Sequence, residues 1–137
     1  MANNATNAAG FAAIDDMVRR LRGLPGAFQK AAPELAKAIK READQAVAQG
    51  RSIDGKPWVA KKDGGKPLEH AADAIRVYVS GSFIIIELSG VEVFHHFGTG
   101  KVPQRPILPT QDGMPPRLGK ASVAWSVKVF NDQVGHG

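Results

Sequence analysis

The sequence predicts an α+β fold with long N-terminal helices, a small antiparallel sheet built on a central β-hairpin, and a C-terminal helix. Three observations carry that reading. Apolar residues recur at three- and four-residue steps between Phe11 and Gly50. Two segments rich in Val, Ile, Tyr and Phe flank Gly81-Ser82. An amphipathic stretch opened by Pro115-Pro116 closes the chain.

The first helix is expected from Phe11, because Phe11, Ile14, Met17, Val18, Leu21 and Leu24 form one apolar stripe. Gly23, Pro25 and Gly26 are expected to end it. Phe28, Ala32, Leu35, Ile39, Ala43, Ala46 and Val47 continue the same period as far as Gly50, whose position suits a C-terminal cap. Pro33 interrupts this second pattern early and predicts either a kink near Ala31 or a fresh helix start with the proline in its first turn.

From Gly50 to Ala71 the pattern gives way to glycine, proline and charge, which reads as loop. Trp58 stands out there, and its expected role is to pin the loop by burying its ring while its N–H finds an acceptor. Ile75–Ser80 and Phe83–Leu88 read as strands, with Gly81-Ser82 the glycine-first pair of a type II′ turn. Phe83-Ile84-Ile85-Ile86 scarcely alternates, so both faces of that strand are expected to be covered by helices or by another subunit. The proline-punctuated stretch Val102–Pro116 has room for one short extended segment around Gln104–Leu108. Over 117–134, Val123, Trp125, Val127 and Val129 alternate like a strand, while Leu118, Ala121, Trp125 and Val129 step like a helix. The length decides for helix.

With 137 residues, 43% of them hydrophobic, one domain is expected over 11–137, preceded by a flexible segment of small and polar residues over 1–10. No apolar run approaches the ~18 residues of a bilayer span, and the N-terminus lacks the basic and apolar regions of a secretory signal, so a soluble protein is expected. Cysteine is absent, which excludes disulfides, thiolate metal sites and a cysteine nucleophile. The net charge of +5 suits an acidic partner such as nucleic acid. Its basic residues, among them Arg19, Arg20, Arg22, Lys37, Lys40, Arg41, Lys61, Lys62, Lys101, Arg105, Arg117 and Lys120, are nevertheless scattered, which favours a solvated surface over a dedicated site.

Chemical motifs are weak. Gly98-Thr99-Gly100-Lys101 resembles the end of a phosphate loop, but His95 stands where the first glycine belongs and Val102 where Ser or Thr belongs. His95 and His96 are adjacent and point apart on either a helix or a strand, and His70 and His136 add no ligand spacing. No G-x-S-x-G elbow exposes a serine. Asp15 and Asp16 pair with Arg19 and Arg20 at helical spacing, an ordinary wet helix face. No catalytic residue, metal or cofactor is expected, and no enzymatic activity.

Three segments, in order, resemble the phage virion-morphogenesis family, the tail-completion proteins of Mu-like and related tailed phages. Ser52-Ile53-Asp54-Gly55-Lys56-Pro57-Trp58, running on to Pro67-Leu68, is similar to that family's D-x-G-x-P-W loop. Phe94-His95-His96-Phe97-Gly98-Thr99-Gly100 is similar to its aromatic-His-x-x-Gly element after the hairpin. Pro103-Gln104-Arg105-Pro106-Ile107-Leu108-Pro109 is similar to its P-x-R-P-[FI]-L segment. The stretch Thr110–Pro116 is longer and richer in proline than the pattern. The resemblance covers 28–134 and implies an α+β virion protein made in the bacterial host cytoplasm, joining tail to head or terminating the tail in a homo-oligomeric ring, a hexamer being the symmetry common in the family.

Neck, connector or tail proteins are then the expected partners, with non-specific contact to DNA in the channel. The residues expected to shape a contact face or anchor its loops are Trp58, His95, Gly98, Gly100, Arg105, Pro106 and Leu108. Gly98 and Gly100 would adopt backbone angles closed to other residues, and Arg105 would offer its planar fork to a carboxylate or to carbonyls. The alternative reading is a small basic DNA-binding protein.

Overall fold

A computed structural model describes residues 2–65, 67–110 and 112–135, with the backbone alone for 2–9. Its elements are α1 (Ala2–Arg22), α2 (Leu24–Ala48), α3 (Ala71–Ala74), β1 (Ile75–Ser80), β2 (Phe83–Leu88), α4 (Glu92–Phe97) and α5 (Pro116–Phe130), which runs into a π-helical turn over Asn131–Gly135. The fold is α+β. His136 lies outside the described residues.

Helices begin earlier than their apolar periods. α1 starts at Ala2 instead of Phe11, through a stretch rich in alanine, the residue that loses least on entering a helix. Only Gly23 separates α1 from α2, so the expected break over 23–26 shrinks to one residue. Pro25 falls in the first turn of α2, where no helical N–H bond is required. α2 then passes through Pro33 without restarting. The proline removes the N–H that would have bonded to the Gln29 carbonyl.

The chain divides into two compact units, Met1–Ala31 with Ala124–Gly137, and Ala32–Val123. In the first, Phe28 packs on Trp125 with ring centroids 5.4 Å apart. The Trp125 indole N–H donates to the Ala31 carbonyl at 3.0 Å, and Gln133 Nε2 donates to the Arg20 carbonyl at 3.1 Å. The α1 stripe is not packed: Phe11, Ile14, Met17, Val18 and Leu21 are all exposed, Phe11 to 67%.

The second unit holds the main core, made of Leu35, Ala36, Ile39, Ala43, Ala46 and Val47 of α2 together with Ile53, Ala71, Ile75, Ile107 and Leu118. These α2 residues recur at three- and four-residue steps, as burial of one helix face demands. Arg117 anchors the start of α5 by donating to the Glu42 carbonyl at 3.0 Å and to Gln49 Oε1 at 3.2 Å. Lys40 Nζ donates to the Ala72 carbonyl at 2.6 Å, tying α2 to α3.

β1 and β2 pair antiparallel from Ile75↔Leu88 to Ser80↔Phe83. Gly81 takes φ 59° and Ser82 stays outside the left-handed region, as a type II′ turn requires. Among the described residues the sheet has these two strands alone, so each has an open edge. The cover expected on both faces of β2 is partial within the chain. Ile84, Ile85 and Ile86 are half-buried, and Phe83 is 73% exposed. No strand forms around 104–108, because that segment bonds to loops and to a histidine ring instead of to a ladder.

Candidate functional site

The three segments singled out in the sequence meet in one junction of the second unit. The 50–58 loop is closed on itself first. Gly50 takes φ 73°, Trp58 N donates to the Gly50 carbonyl at 2.8 Å, and Ser52 N donates to the Lys56 carbonyl at 2.9 Å. Ser52 is wholly buried, its hydroxyl donating to Asp54 Oδ1 and accepting from Lys56 N at 2.9 Å. Ser-x-Asp-Gly is a sequence with the local bonds to make such a turn.

The proline-rich segment is then strapped across this loop. Trp58 Nε1 donates to the Pro106 carbonyl at 2.5 Å, Ile53 N to the Ile107 carbonyl at 2.9 Å, and Thr110 N to Asp54 Oδ2 at 2.9 Å. Arg105 is 6% exposed and turns its guanidinium inward, Nε donating to the Val59 carbonyl at 2.8 Å and Nη2 to the Ala60 carbonyl at 3.4 Å. Its fork therefore serves carbonyls of its own chain. Burial pushes the Asp54 carboxyl upward, but bonds from Ser52 and Thr110 outweigh it and hold the carboxyl below its ordinary range.

α4 supplies the third side. Arg105 N donates to the His95 carbonyl at 2.7 Å, and His96 Nδ1 accepts from both Ile107 N at 3.0 Å and Leu108 N at 3.3 Å. An Nδ1 that accepts carries no proton, so the hydrogen-bond network assigns the proton of the neutral ring to Nε2. Desolvation holds the His96 pKa below its ordinary value, against a smaller upward pull from Asp54. The His95 ring does not join these links: its Nδ1 is buried without a hydrogen-bond partner.

Gly98 ends α4 at φ 76°, ψ 160°, and a Cβ there would stand 3.0 Å from Gln104 Cβ and 3.1 Å from its Cα. Two constraints coincide on that glycine. Gly100 is different from what its neighbourhood suggests: it is absent from the positive-φ glycines, and a Cβ there meets nothing within 4 Å. The Thr99 hydroxyl accepts from Lys101 N at 3.3 Å and Val102 N at 3.0 Å, closing a local turn that follows a helix instead of a strand. The strand-loop-helix setting of a phosphate loop is therefore not the setting of this segment.

Trp58, Pro106, Leu108, Arg105, Gly98 and the His95 backbone thus belong to one cross-linked junction, while the Gly100 Cα lies in open space. Its polar groups bond chiefly to main-chain atoms, so the chemistry it performs is the fixing of three loops in one shape. Sequence reasoning missed His96, Ser52 and the Asp54–Thr110 link. Ser52-Ile53-Asp54-Gly55 carried a turn signal for two of these, whereas nothing separated His96 from its neighbour before α4 was placed.

No group of three or more potential metal ligands gathers among the described residues, and none of their helices is long and apolar enough to cross a membrane. No protein-family model matches the chain, and no curated protein or solved structure is significantly similar to it.

Proposed function

We propose that this protein is a structural subunit of a phage particle, which completes the tail or joins tail to head as one member of an oligomeric ring in the neck or tail-terminator region, without catalytic turnover. The observation that carries this reading is the solvent-facing apolar stripe of α1. Large apolar side chains scattered over a surface are ordinary, but five on one face of one helix form a continuous patch that water penalises. Phe83 at the hairpin turn and Phe94 and Phe97 on α4, exposed to 73%, 61% and 71%, add apolar surface in the second unit.

Two further features support it. The motifs that resemble the tail-completion family occur in that family's order, and they converge on one rigid junction. A junction fixed by internal bonds presents its outer surface in a constant shape, as repeated contacts in a ring require. Native mass spectrometry across a concentration range tests the proposal, with one closed stoichiometry expected, alone or with neck and tail proteins. A monomer at every concentration that retains no neck or tail protein overturns it. Gel shifts at two salt concentrations separate it from the DNA-binding alternative, which predicts tight binding that collapses as salt rises.

A further inference from the structure

The second unit carries an open groove of about 780 Å³ between α2 and β1, lined by Pro33, Ala36, Val77, Tyr78 and Val79 and edged by Glu34, Lys37, Lys40 and Arg41. Lys40 is engaged by Asp44 at 2.6 Å. Among the described residues, neither Lys37 nor Arg41 forms an ion pair. The groove floor is apolar and its rim is mainly basic.

We propose that this groove receives the α1 stripe of a second copy, in an antiparallel helix-in-groove contact; the inference rests on the ring reading above and names the contact that builds the ring. Lengths match. The stripe from Phe11 to Leu21 extends about 15 Å, and the α2 side of the groove from Pro33 to Arg41 about 12 Å. Phe11, Ile14, Val18 and Leu21 lie at the i, i+3, i+7 and i+10 positions by which an amphipathic helix enters a groove.

Charge sets the direction. One edge of the stripe carries Asp15, Arg19 and Arg22, and the groove edge carries Glu34, Lys37 and Arg41. Each row spans eight residues in the order acid, base, base. Parallel docking sets like charge on like along the whole row. Antiparallel docking sets Asp15 against Arg41 and Arg22 against Glu34, and the remaining facing base, Arg19, already bonds Asp16 at 2.6 Å. A patch on one copy meeting a different patch on the next is a head-to-tail contact, which closes into a ring when the rotation permits.

Because the chain has no cysteine, introduced thiols report the contact cleanly. Full-length Ile14→Cys and Val77→Cys are mixed and oxidised, with Val123→Cys replacing Val77→Cys as control. A disulfide-linked heterodimer from the first mixture and not the control is expected. Charge reversals form the second arm, with circular dichroism verifying the fold. Asp15→Arg or Arg41→Asp alone is expected to raise the concentration for half-assembly at least about tenfold. The double variant is expected to return within about threefold of the original.

If the unmodified chain forms rings while 14–77 cross-links do not exceed the control and the reversals change nothing, the ring stands and this contact is wrong. A chain that remains monomeric at every concentration overturns the contact, and if it also retains no neck or tail protein it overturns the ring reading.

Discussion

Arg105 sits between a glutamine and a proline, and its guanidinium satisfies two carbonyls from a segment 45 residues away. Arg105→Met is expected to cost about 1.5–3 kcal/mol in urea unfolding, since it removes two part-buried hydrogen bonds made by a charged donor. Arg105→Lys recovers only part, because one ammonium does not reproduce the fork. At the α4 terminus, Gly98→Ala is expected to destabilise by about 1–3 kcal/mol and Gly100→Ala by under about 0.5 kcal/mol, the first residue alone having a positive φ and a crowded Cβ position.

His96 gives the junction a pH dependence. Its folded pKa lies below its unfolded value near 6.5, so the unfolded chain takes up the proton first. The associated stability is complete above that value and is lost as pH falls through the folded pKa. Urea midpoints measured from pH 7.5 down to 5 are expected to fall. His96→Asn, whose side-chain oxygen can accept in place of Nδ1, is expected to remove the part of that slope due to His96. Trp58 was legible as an anchor from the sequence, since a lone tryptophan in a polar loop invites an internal partner, whereas Arg105 was expected to offer its fork on a contact face and instead meets carbonyls of its own chain. The partners themselves were not legible, because they lie about 45 residues away and only folding brings them near.

Among elements, α2 is the clearest case of periodicity predicting burial, and of the two outcomes expected at Pro33 the fresh helix start is the one that does not occur. Leu35, Ile39, Ala43, Ala46 and Val47 are buried as the apolar pattern selects, Ala36 joins them, and Pro33 neither starts nor ends the helix. Packing on both sides of the proline offsets one missing bond, and the Ala31 carbonyl nearby takes the Trp125 indole N–H. Pro33→Ala is therefore expected to stabilise the protein by about 1–3 kcal/mol, read from thermal and urea unfolding, by restoring the N–H and lifting the ring clash. The hairpin was legible in full, strands and turn alike, because its signals are local. β2 was expected to be covered on both faces. Its half-buried isoleucines lie on a two-stranded sheet, which on its own buries too little to hold.

For the whole molecule, the imbalance is between a well-packed junction and exposed apolar faces on α1, the hairpin turn and α4. A free subunit is expected to enhance the fluorescence of an apolar-surface dye, and assembly is expected to suppress most of that signal. Equal dye binding before and after assembly would show that these faces remain wet in the proposed ring. Ile107→Ala, at a fully buried site within the junction, is expected to cost about 2–5 kcal/mol and to weaken assembly indirectly, by loosening the loops that shape the outer surface.

The amino-acid order alone determined the hairpin and the bodies of α1, α2 and α5, since propensity, period and turn chemistry act over a few neighbouring residues; it did not announce α3, α4 or the start of α1 at Ala2. It also marked Trp58, Gly98 and Arg105 as residues with a structural task. Tertiary structure decided what that task was. Hydrogen bonds joining residues 53 to 107, 54 to 110 and 58 to 106 depend on chain closure over long separations, and no local pattern records it. It decided as well that the α1 stripe faces water, because a periodic apolar face states the need for a partner and says nothing of whether the same chain supplies one.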